Sequence, residues 1–391
     1  MMELKEIFRP RHEEAAVKYC QELVRIKTVN PPGDELPAAE YTASQLERSG
    51  ADVEMVPHTA ARASLLARLR GSGRAPALLY NGHLDSVPPG DEPWSHDPLG
   101  GELADGRIWG RGSADMKGGL AAMMAAMQAL AEANIPLAGD LILAATAGEE
   151  TDSLGAISIS SRPNLGPVQA VVIPEPSSNE IFIAEKGVLW LELATRGKTA
   201  HGSMPELGHN AIMMMVDFIS ALREMEFSHK EHPLLGGFSR SVNTLSGGVK
   251  TNVVPDFCTA TIDMRTVPGQ DHAAILRQVE EGITRLKGRR PEFQASVRVL
   301  KDRVPVETPP EDPAVQRFAQ IVTEIVGQRP VLKGARYYTD GGVIAPVLKA
   351  PLIICGPGDA GMAHQPDEFV EVAKVIQSAM IYTWAAVNFL K

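Results

Sequence analysis

The chain has 391 residues, of which 44% are apolar and 22% are charged. This composition is typical of a globular protein with room for two domains, and it excludes a disordered chain and a small disulfide-stapled scaffold. The formal net charge is -10, which argues against nucleic acid and anionic membranes as partners.

Several features bear on the compartment. The cysteines, Cys20, Cys258 and Cys355, are scattered and fit neither a disulfide framework nor a thiolate zinc site. The N-terminal residues lack the apolar stretch of a secretory signal. The longest apolar tract, 119–127, is shorter than the roughly 20 residues of a membrane span. We therefore expect a cytoplasmic protein with no membrane partner.

Helical and strand patterns alternate along much of the chain. Continuous apolar runs predict strands that are buried on both faces, and most of these runs end at polar residues or glycine. The predicted strands are 53–56, 64–69, 77–80, 141–147, 170–173 and 352–355, and the predicted helices are 13–26, 38–49, 116–133, 312–326 and 369–390. This order predicts an α/β fold with a mixed, mostly parallel sheet flanked by helices.

A different order interrupts this pattern between residues 187 and 303. Strands are predicted at 188–195, 241–245, 258–265 and 293–300, and helices at 210–225 and 272–286. The order βαββαβ is that of a ferredoxin-like α+β domain. We therefore expect this domain to be inserted into a discontinuous main domain formed by residues 1–186 and 304–391.

Polar residues follow the ends of several predicted strands. Residues i and i+2 of an extended segment point the same way, so Asp85 can orient the imidazole of His83 towards a metal. An isolated pair of this kind is also common in surface turns. Asp115 lies between glycines at the entry of a predicted helix, where it could equally act as an N-cap. Neither of the common nucleotide-binding glycine motifs occurs around it.

Three further acids and a histidine extend this set. Glu149 and Glu150 are adjacent at a strand end, where two carboxylates repel each other unless cations neutralise one of them. One could then bind a metal while the other stays free as a general base. Glu175 lies between two prolines that fix its backbone, and His364 precedes the last predicted helix. Each residue alone has a structural alternative, but together these nitrogen and oxygen ligands favour a zinc, cobalt or manganese site.

The order and content of these motifs resemble those of the M20 metallopeptidases and deacylases over essentially the full chain. That family includes acetylornithine deacetylase, succinyl-diaminopimelate desuccinylase, aminoacylase-1 and glutamate carboxypeptidase. The resemblance implies two divalent metal ions, Zn²⁺ foremost, with Co²⁺ or Mn²⁺ as alternatives. The implied ligands are His83, Asp115 and Glu175 for one ion, and Asp115, Glu150 and His364 for the other.

The resemblance also assigns roles to residues outside the ligand sets. Asp85 would orient His83, Glu149 would be the catalytic base, and the Asp115–Met116 peptide bond would be cis. Departures from the family patterns at Pro174 and at 338–342 leave the substrate open.

Candidates of the inserted domain and the C-terminal region follow from the same resemblance. His201 is similar to a histidine that stabilises the oxyanion from the partner subunit, and Asn252 to an asparagine on a substrate-binding strand. Arg265 is similar to an arginine that binds a substrate carboxylate, as its fork geometry allows. Gly356 and Gly358 could let a substrate approach the backbone. By themselves, the histidine could be a loop residue, the arginine a solubility residue at a strand edge, and the glycines a turn.

We therefore expect a metal-dependent amidohydrolase that removes the acyl group of an N-acyl amino acid. The alternative is a metallocarboxypeptidase or dipeptidase, because the same chemistry and Arg265 would serve a short peptide. A non-catalytic metal-dependent binding protein is a more remote alternative, since a binder needs no free base such as Glu149. The family further implies a homodimer that forms through the inserted domain.

Overall fold

The computed structural model describes residues 4–391. Residues 1–3 lie outside the described part. They belong to the expected main domain and to the N-terminal stretch in which no signal pattern was found. The chain divides into two compact units. The first runs up to Ala184 and includes Glu307–Ala335 and Thr339–Lys391, and the second comprises Glu185–Val306 and Arg336–Tyr338. The expected limits were 186/187 and 303/304, and Arg336–Tyr338 was not expected in the second unit.

Helices and strands alternate along the described residues. The helices are α1 (Leu4–Ile7), α2 (Pro10–Arg25), α3 (Leu36–Arg48), α4 (Gly118–Glu132), α5 (Leu154–Ser160), α6 (Ala211–Glu224), α7 (His272–Arg289), α8 (Pro313–Val326), α9 (Gly341–Leu348) and α10 (Val372–Phe389). The strands are β1 (Asp52–Pro57), β2 (Ala63–Leu69), β3 (Ala77–His83), β4 (Glu102–Ala104), β5 (Arg107–Trp109), β6 (Leu141–Thr146), β7 (Val168–Pro176), β8 (Ile181–Glu185), β9 (Gly187–Arg196), β10 (Ser239–Gly247), β11 (Phe257–Thr266), β12 (Gln294–Arg303), β13 (Val306–Glu307), β14 (Leu332–Ala335), β15 (Leu352–Gly356) and β16 (Phe369–Glu371).

The first unit is built on a nine-stranded sheet. Its order is β1-β2-β6-β3-β7-β15-β8-β13, and β14 pairs with β8. The four central strands β6, β3, β7 and β15 are parallel, whereas β1, β2 and β8 join antiparallel. Every residue of β3 and β6 is buried, as expected for strands covered on both faces. The predicted mixed sheet is therefore confirmed, and its central strands end at one common edge.

Helices cover this sheet. α4 is buried on nearly every side and packs against α2 and α10, because most of its residues are glycine, alanine, methionine or leucine. It begins at Gly118, later than predicted, since Asp115 and Met116 have non-helical φ/ψ values and the peptide bond between them is cis. No helix within residues 4–391 is long and apolar enough to cross a membrane.

The C-terminal helix was predicted to begin at Phe369, and that start is wrong. Residues Phe369–Glu371 form β16, which pairs with β5 in a separate three-stranded sheet. The aromatic and β-branched side chains at 369 and 370 fit a strand as well as a helix, and pairing with the neighbouring strand decides between them.

The second unit has the predicted ferredoxin-like order. Its antiparallel sheet runs β10-β11-β9-β12, with α6 and α7 packed against the strands. Alternate residues of β9 and β11 are buried, and they form a core with Phe218, Phe227 and Phe293. β10 is an edge strand whose residues are nearly all exposed.

Candidate metal centre

Three side chains meet at the carboxyl edge of the central strands to form a first ligand group. His83 is the last residue of β3, Glu175 lies near the end of β7, and Asp115 precedes α4. His83 Nε2 lies 3.1 Å from Asp115 Oδ1 and 3.8 Å from Glu175 Oε1. Potential ligand atoms of the three residues all lie within 4.8 Å of one another. The first group could therefore hold one metal ion.

A second ligand group shares Asp115 with the first. His364 Nε2 lies 3.3 Å from Asp115 Oδ2 and 3.3 Å from Glu150 Oε2, and these three residues also meet the 4.8 Å limit. Each oxygen of Asp115 thus faces a different group. Glu150 Oε1 is buried and has no hydrogen-bond partner among residues 4–391, as expected for an oxygen atom that serves as a metal ligand.

The electrostatics of the protein alone show how strongly these groups interact. Burial and the neighbouring Asp115 hold the pKa of Glu175 well above its usual range. Hydrogen bonds to Asp115 and Glu150 raise the pKa of His364 to about 10. Burial opposes ionisation of Asp115, but hydrogen bonds from His364 and His83 hold its pKa below the usual range. Without a cation, protons take part in balancing the buried carboxylates.

Glu149 lies beside both groups and belongs to neither. It follows β6, and only 7% of its surface is exposed. Burial, and then the charges of Glu150, Asp340 and Asp115, hold its pKa well above the usual range, while His83 opposes this shift. A carboxyl group whose pKa is shifted upwards by its site is suited to accept and return a proton near neutral pH.

Asp85 is placed differently from the sequence expectation. His83 Nδ1 donates to the main-chain carbonyl of Asp85 at 2.9 Å, while the nearest carboxylate oxygen is 3.6 Å away. The carboxylate instead accepts from the main-chain N–H groups of Gly148, Glu149 and Glu150 at 3.0–3.2 Å. The residue therefore orients the imidazole through its backbone, and its side chain holds the loop of the paired glutamates.

Sequence reasoning missed several buried partners of this centre, among them Asn30 and Asp340. Asn30 Nδ2 donates to Asp85 Oδ2 and to Thr151 Oγ1, both at 2.8 Å. Its one sequence signal is its position directly before two prolines, and both X–Pro bonds are cis. Asp340 is buried and accepts from Thr146 Oγ1 at 2.7 Å. It precedes α9, and the departure from the family pattern at 338–342 was the one hint.

Gly356 and Gly358 have packing reasons for lacking a side chain. A Cβ on Gly356 would lie 2.0 Å from the carbonyl oxygen of Pro174, and one on Gly358 would lie 2.2 Å from that of Ala114. The absence of a side chain at both glycines therefore lets the backbone at the end of β15 approach the main-chain carbonyls of the residues that precede Glu175 and Asp115. This close approach explains them without a substrate.

The remaining predicted residues lie in the second unit. The segments of His201 and Asn252 are adjacent, because Gly202 N donates to the Asn252 carbonyl at 2.8 Å. The His201 side chain is exposed and its Nδ1 lies 2.7 Å from Ser203 Oγ. The guanidinium of Arg265 pairs in bidentate fashion with Asp263, at 2.8 and 3.0 Å. A substrate carboxylate at this arginine would share it with an existing partner.

The two ligand groups fit divalent cations. Their donors are imidazole nitrogens and carboxylate oxygens without thiolate, a set that suits zinc, cobalt or manganese. The acids of the two groups outnumber the histidines, and one buried glutamate oxygen is unsatisfied. Both observations favour positive charge at this position.

Comparison with known proteins agrees with this geometry. Residues 79–388 match the model of peptidase family M20/M25/M40. A Staphylococcus epidermidis protein named probable succinyl-diaminopimelate desuccinylase is 32% identical over 386 residues, covering 92% of this chain and 93% of the relative. The fold matches an M20 family metallo-carboxypeptidase from Sulfolobus solfataricus with a TM-score of 0.80 at 18% identity, covering 96% and 98% of the two chains. It also matches the Bacillus subtilis YXEP protein, described as a dinuclear metal binding peptidase, with a TM-score of 0.72 at 15% identity, covering 98% and 99%.

Proposed function

This chain belongs to peptidase family M20/M25/M40, a family of hydrolases, and we propose that it removes the acyl group of an N-acyl amino acid at a dimetal centre. The arrangement of Asp115 carries this proposal. Its two carboxylate oxygens face two separate ligand groups, and the buried Glu149 lies beside both. A site that only binds metal has no use for a carboxyl group of this kind outside its ligand set.

His83 and Glu175 would hold one ion, Glu150 and His364 the other, and Asp115 would bridge them. We propose Zn²⁺ as the native metal, with Co²⁺ or Mn²⁺ as alternatives. Divalent ions at these positions supply Lewis acidity, which lowers the pKa of water and stabilises negative charge on a carbonyl oxygen. The likeness to a dinuclear metal binding peptidase supports two ions.

Glu149 acts as the general base in this proposal. Its carboxylate takes a proton from the water that attacks the amide carbonyl carbon, and it then delivers this proton to the leaving nitrogen. Burial and the surrounding acids raise its pKa, which makes the carboxylate a better base and the carboxylic acid available for the second step. Asp85 supports this role, because it fixes the backbone on both sides of the Glu149 Cα.

The substrate assignment rests on the relatives. The one named probable succinyl-diaminopimelate desuccinylase supports an acylated amino acid, and the structural likeness to a metallo-carboxypeptidase favours a short peptide as the second candidate. Arg265 would bind the substrate carboxylate in either case, alongside Asp263, and Asn252 would contribute a polar contact.

We further propose a homodimer in which His201 of one copy stabilises the oxyanion in the other. Within residues 4–391, the edge strand β10 has a neighbouring strand on one side only. Apolar side chains on it and near it are exposed, with Leu245 at 55%, Val249 at 89% and Met213 of α6 at 52%. Exposed edges and apolar patches of this kind are typical of surfaces that a second copy covers.

The decisive experiment is a parallel assay of metal-reconstituted protein. N-succinyl and N-acetyl amino acids are compared with dipeptides, and kcat/KM is measured for each. We expect an N-acyl amino acid to give the highest value. A higher kcat/KM for dipeptides would favour the peptidase activity over the deacylase activity. If no substrate of the panel is hydrolysed while two ions are bound, both proposed activities are rejected.

A further inference from the structure

The loop that carries His364 is held in an unusual conformation. His364 and Asp367 have φ values of 65° and 53°, a region that is uncommon for non-glycine residues. Asp367 supplies one anchor, because its carboxylate accepts from Ser95 N at 2.7 Å and from Ser95 Oγ at 2.8 Å. These two hydrogen bonds are exposed to solvent, so they should hold the loop less strongly than buried ones.

Glu368, the next residue, is fully buried and uses both carboxylate oxygens. Oε1 accepts from the main-chain N–H groups of Ala114 at 2.9 Å and Asp115 at 3.1 Å. Oε2 accepts from Arg111 Nη1 at 2.5 Å. The main-chain carbonyl of Glu368 also accepts from Gly110 N at 2.8 Å. The end of the His364 loop is thus joined to the turn that presents Asp115.

Arg111 is fixed independently of this pair. It is 1% exposed, its Nη2 donates to the Pro89 carbonyl at 3.3 Å, and its guanidinium lies 5.1 Å from the ring centre of Trp94. The position of Glu368 is therefore set from one side by a buried cation, and on the other side Glu368 accepts from the main chain at Asp115.

We propose that Glu368 is a positioning residue that fixes Asp115 and His364 relative to each other and thereby builds the second ligand group. The inference rests on the proposed dimetal function. The first ion depends less on this residue, because His83 and Glu175 are held by β3 and β7 within the sheet. Loss of the Glu368 contacts should therefore weaken the second ion selectively.

Glu368→Gln is the informative change. A glutamine has one acceptor oxygen, so it can serve the two main-chain N–H groups or Arg111 but not both. Metal-free wild type and variant are titrated with Co²⁺ and followed by visible absorption, and with Zn²⁺ by calorimetry. We expect two binding events in the wild type. In the variant, the first should be retained and the second weakened by about 10–100-fold, the usual effect of losing a group that supports a metal ligand.

Asp140→Asn is the matched control. Asp140 also pairs with an arginine, Arg68 at 2.5 Å, and accepts a main-chain N–H, that of Gly71 at 2.8 Å. It precedes β6, at the opposite end of that strand from Glu149. This variant should bind both ions as the wild type does. Weaker binding in this variant would show that losing any acid–arginine pair affects metal binding.

The outcomes separate the two proposals. A wild type that binds fewer than two ions would reject the dimetal function itself. A wild type with two ions and a Glu368→Gln variant with unchanged affinity for both would overturn the role of Glu368. Circular dichroism shows whether the variant folds. If it does not, the double variant Arg111→Met with Glu368→Met removes the buried charges together, and it should fold with the second ion weakened; retention of both affinities would again overturn the role.

Discussion

Asp85→Asn tests the most specific feature of the centre, the carboxylate that holds the loop of the paired glutamates. The carboxylate accepts four hydrogen bonds, from Gly148 and Glu149 on Oδ1 and from Glu150 and Asn30 on Oδ2. An asparagine presents NH₂ in place of one oxygen, so two donors lose their acceptor.

The smallest loss arises when the new NH₂ faces Asn30 and Glu150. Asn30 can then turn its own amide oxygen towards it, which leaves one partly buried N–H group, that of Glu150, without an acceptor. An unsatisfied buried group costs about 1–3 kcal/mol, and we expect the free energy of unfolding of the metal-free protein to fall by about that amount. The loop then no longer holds Glu149 in place, and a displacement near 1 Å can lower kcat by about 100-fold.

The first metal ion should be unaffected by this change. The acceptor that orients His83 is a main-chain carbonyl at 2.9 Å, which the substitution keeps. Urea unfolding in the presence of a chelator, metal analysis after gel filtration and steady-state kinetics provide the three measurements. The control is Asp152→Asn in the same loop, whose half-exposed carboxylate pairs with Arg62 and should contribute about 0–1 kcal/mol. Loss of the ion at His83 with unchanged stability would show that the carboxylate acts through the imidazole, against our reasoning.

Further predictions concern the base, the dimer, the ligands and the backbone. Glu149→Ala should keep both ions, as counted by metal analysis, and lose roughly two to four orders of magnitude in kcat; full activity would remove it from the base role. Mixing this variant with His201→Ala should restore part of the activity through hybrid dimers, and no recovery despite proven subunit exchange would contradict completion across subunits. In the metal-free protein the pKa of His364 rises from 6.5 to about 10 through its bonds to two acids, so its contribution to stability is complete below about pH 6.5 and disappears as the pH rises to about 10. The free energy of unfolding, measured with urea at several pH values across this range, should lose this pH dependence in His364→Ala. Gly358→Ala places a Cβ 2.2 Å from a main-chain oxygen and should destabilise by about 1–3 kcal/mol, whereas Gly288→Ala, with open space around its Cβ, should be neutral or stabilising by up to about 1 kcal/mol; equal effects of the two would contradict the packing explanation.

The sheet was within reach of the sequence because it depends on a local pattern, whereas the five expected ligands were implied by the resemblance to a known family. Continuous apolar runs mark buried strands, and parallel strands bring their carboxyl ends to one edge, so acids and histidines that follow such runs meet there. The structure brings His83, Asp115 and Glu175 into one group, and Asp115, Glu150 and His364 into another.

What the sequence could not predict depends on contacts between distant segments. The i, i+2 spacing places His83 and Asp85 on one side of the chain, but it does not determine whether the carboxylate or the carbonyl of Asp85 meets the imidazole. Asn30 and Glu368 reach the centre from positions 55 and 253 residues away from their partners, and no local pattern predicts these contacts. Phe369 was assigned to a helix because its strand partner, at Trp109, is equally remote.

The charge of the centre connects these observations. Of the 48 acidic residues of the chain, five are those expected at the centre from the sequence: Asp85, Asp115, Glu149, Glu150 and Glu175. Asp85 is balanced by hydrogen-bond donors, while Glu149, Glu150 and Glu175 have raised pKa values. We therefore expect cations at this position to favour ionisation of the last three, so that metal binding releases protons and relieves the repulsion among these carboxylates. We therefore expect metal affinity, the pH dependence of stability and the ionisation of Glu149 to depend on the same electrostatic balance.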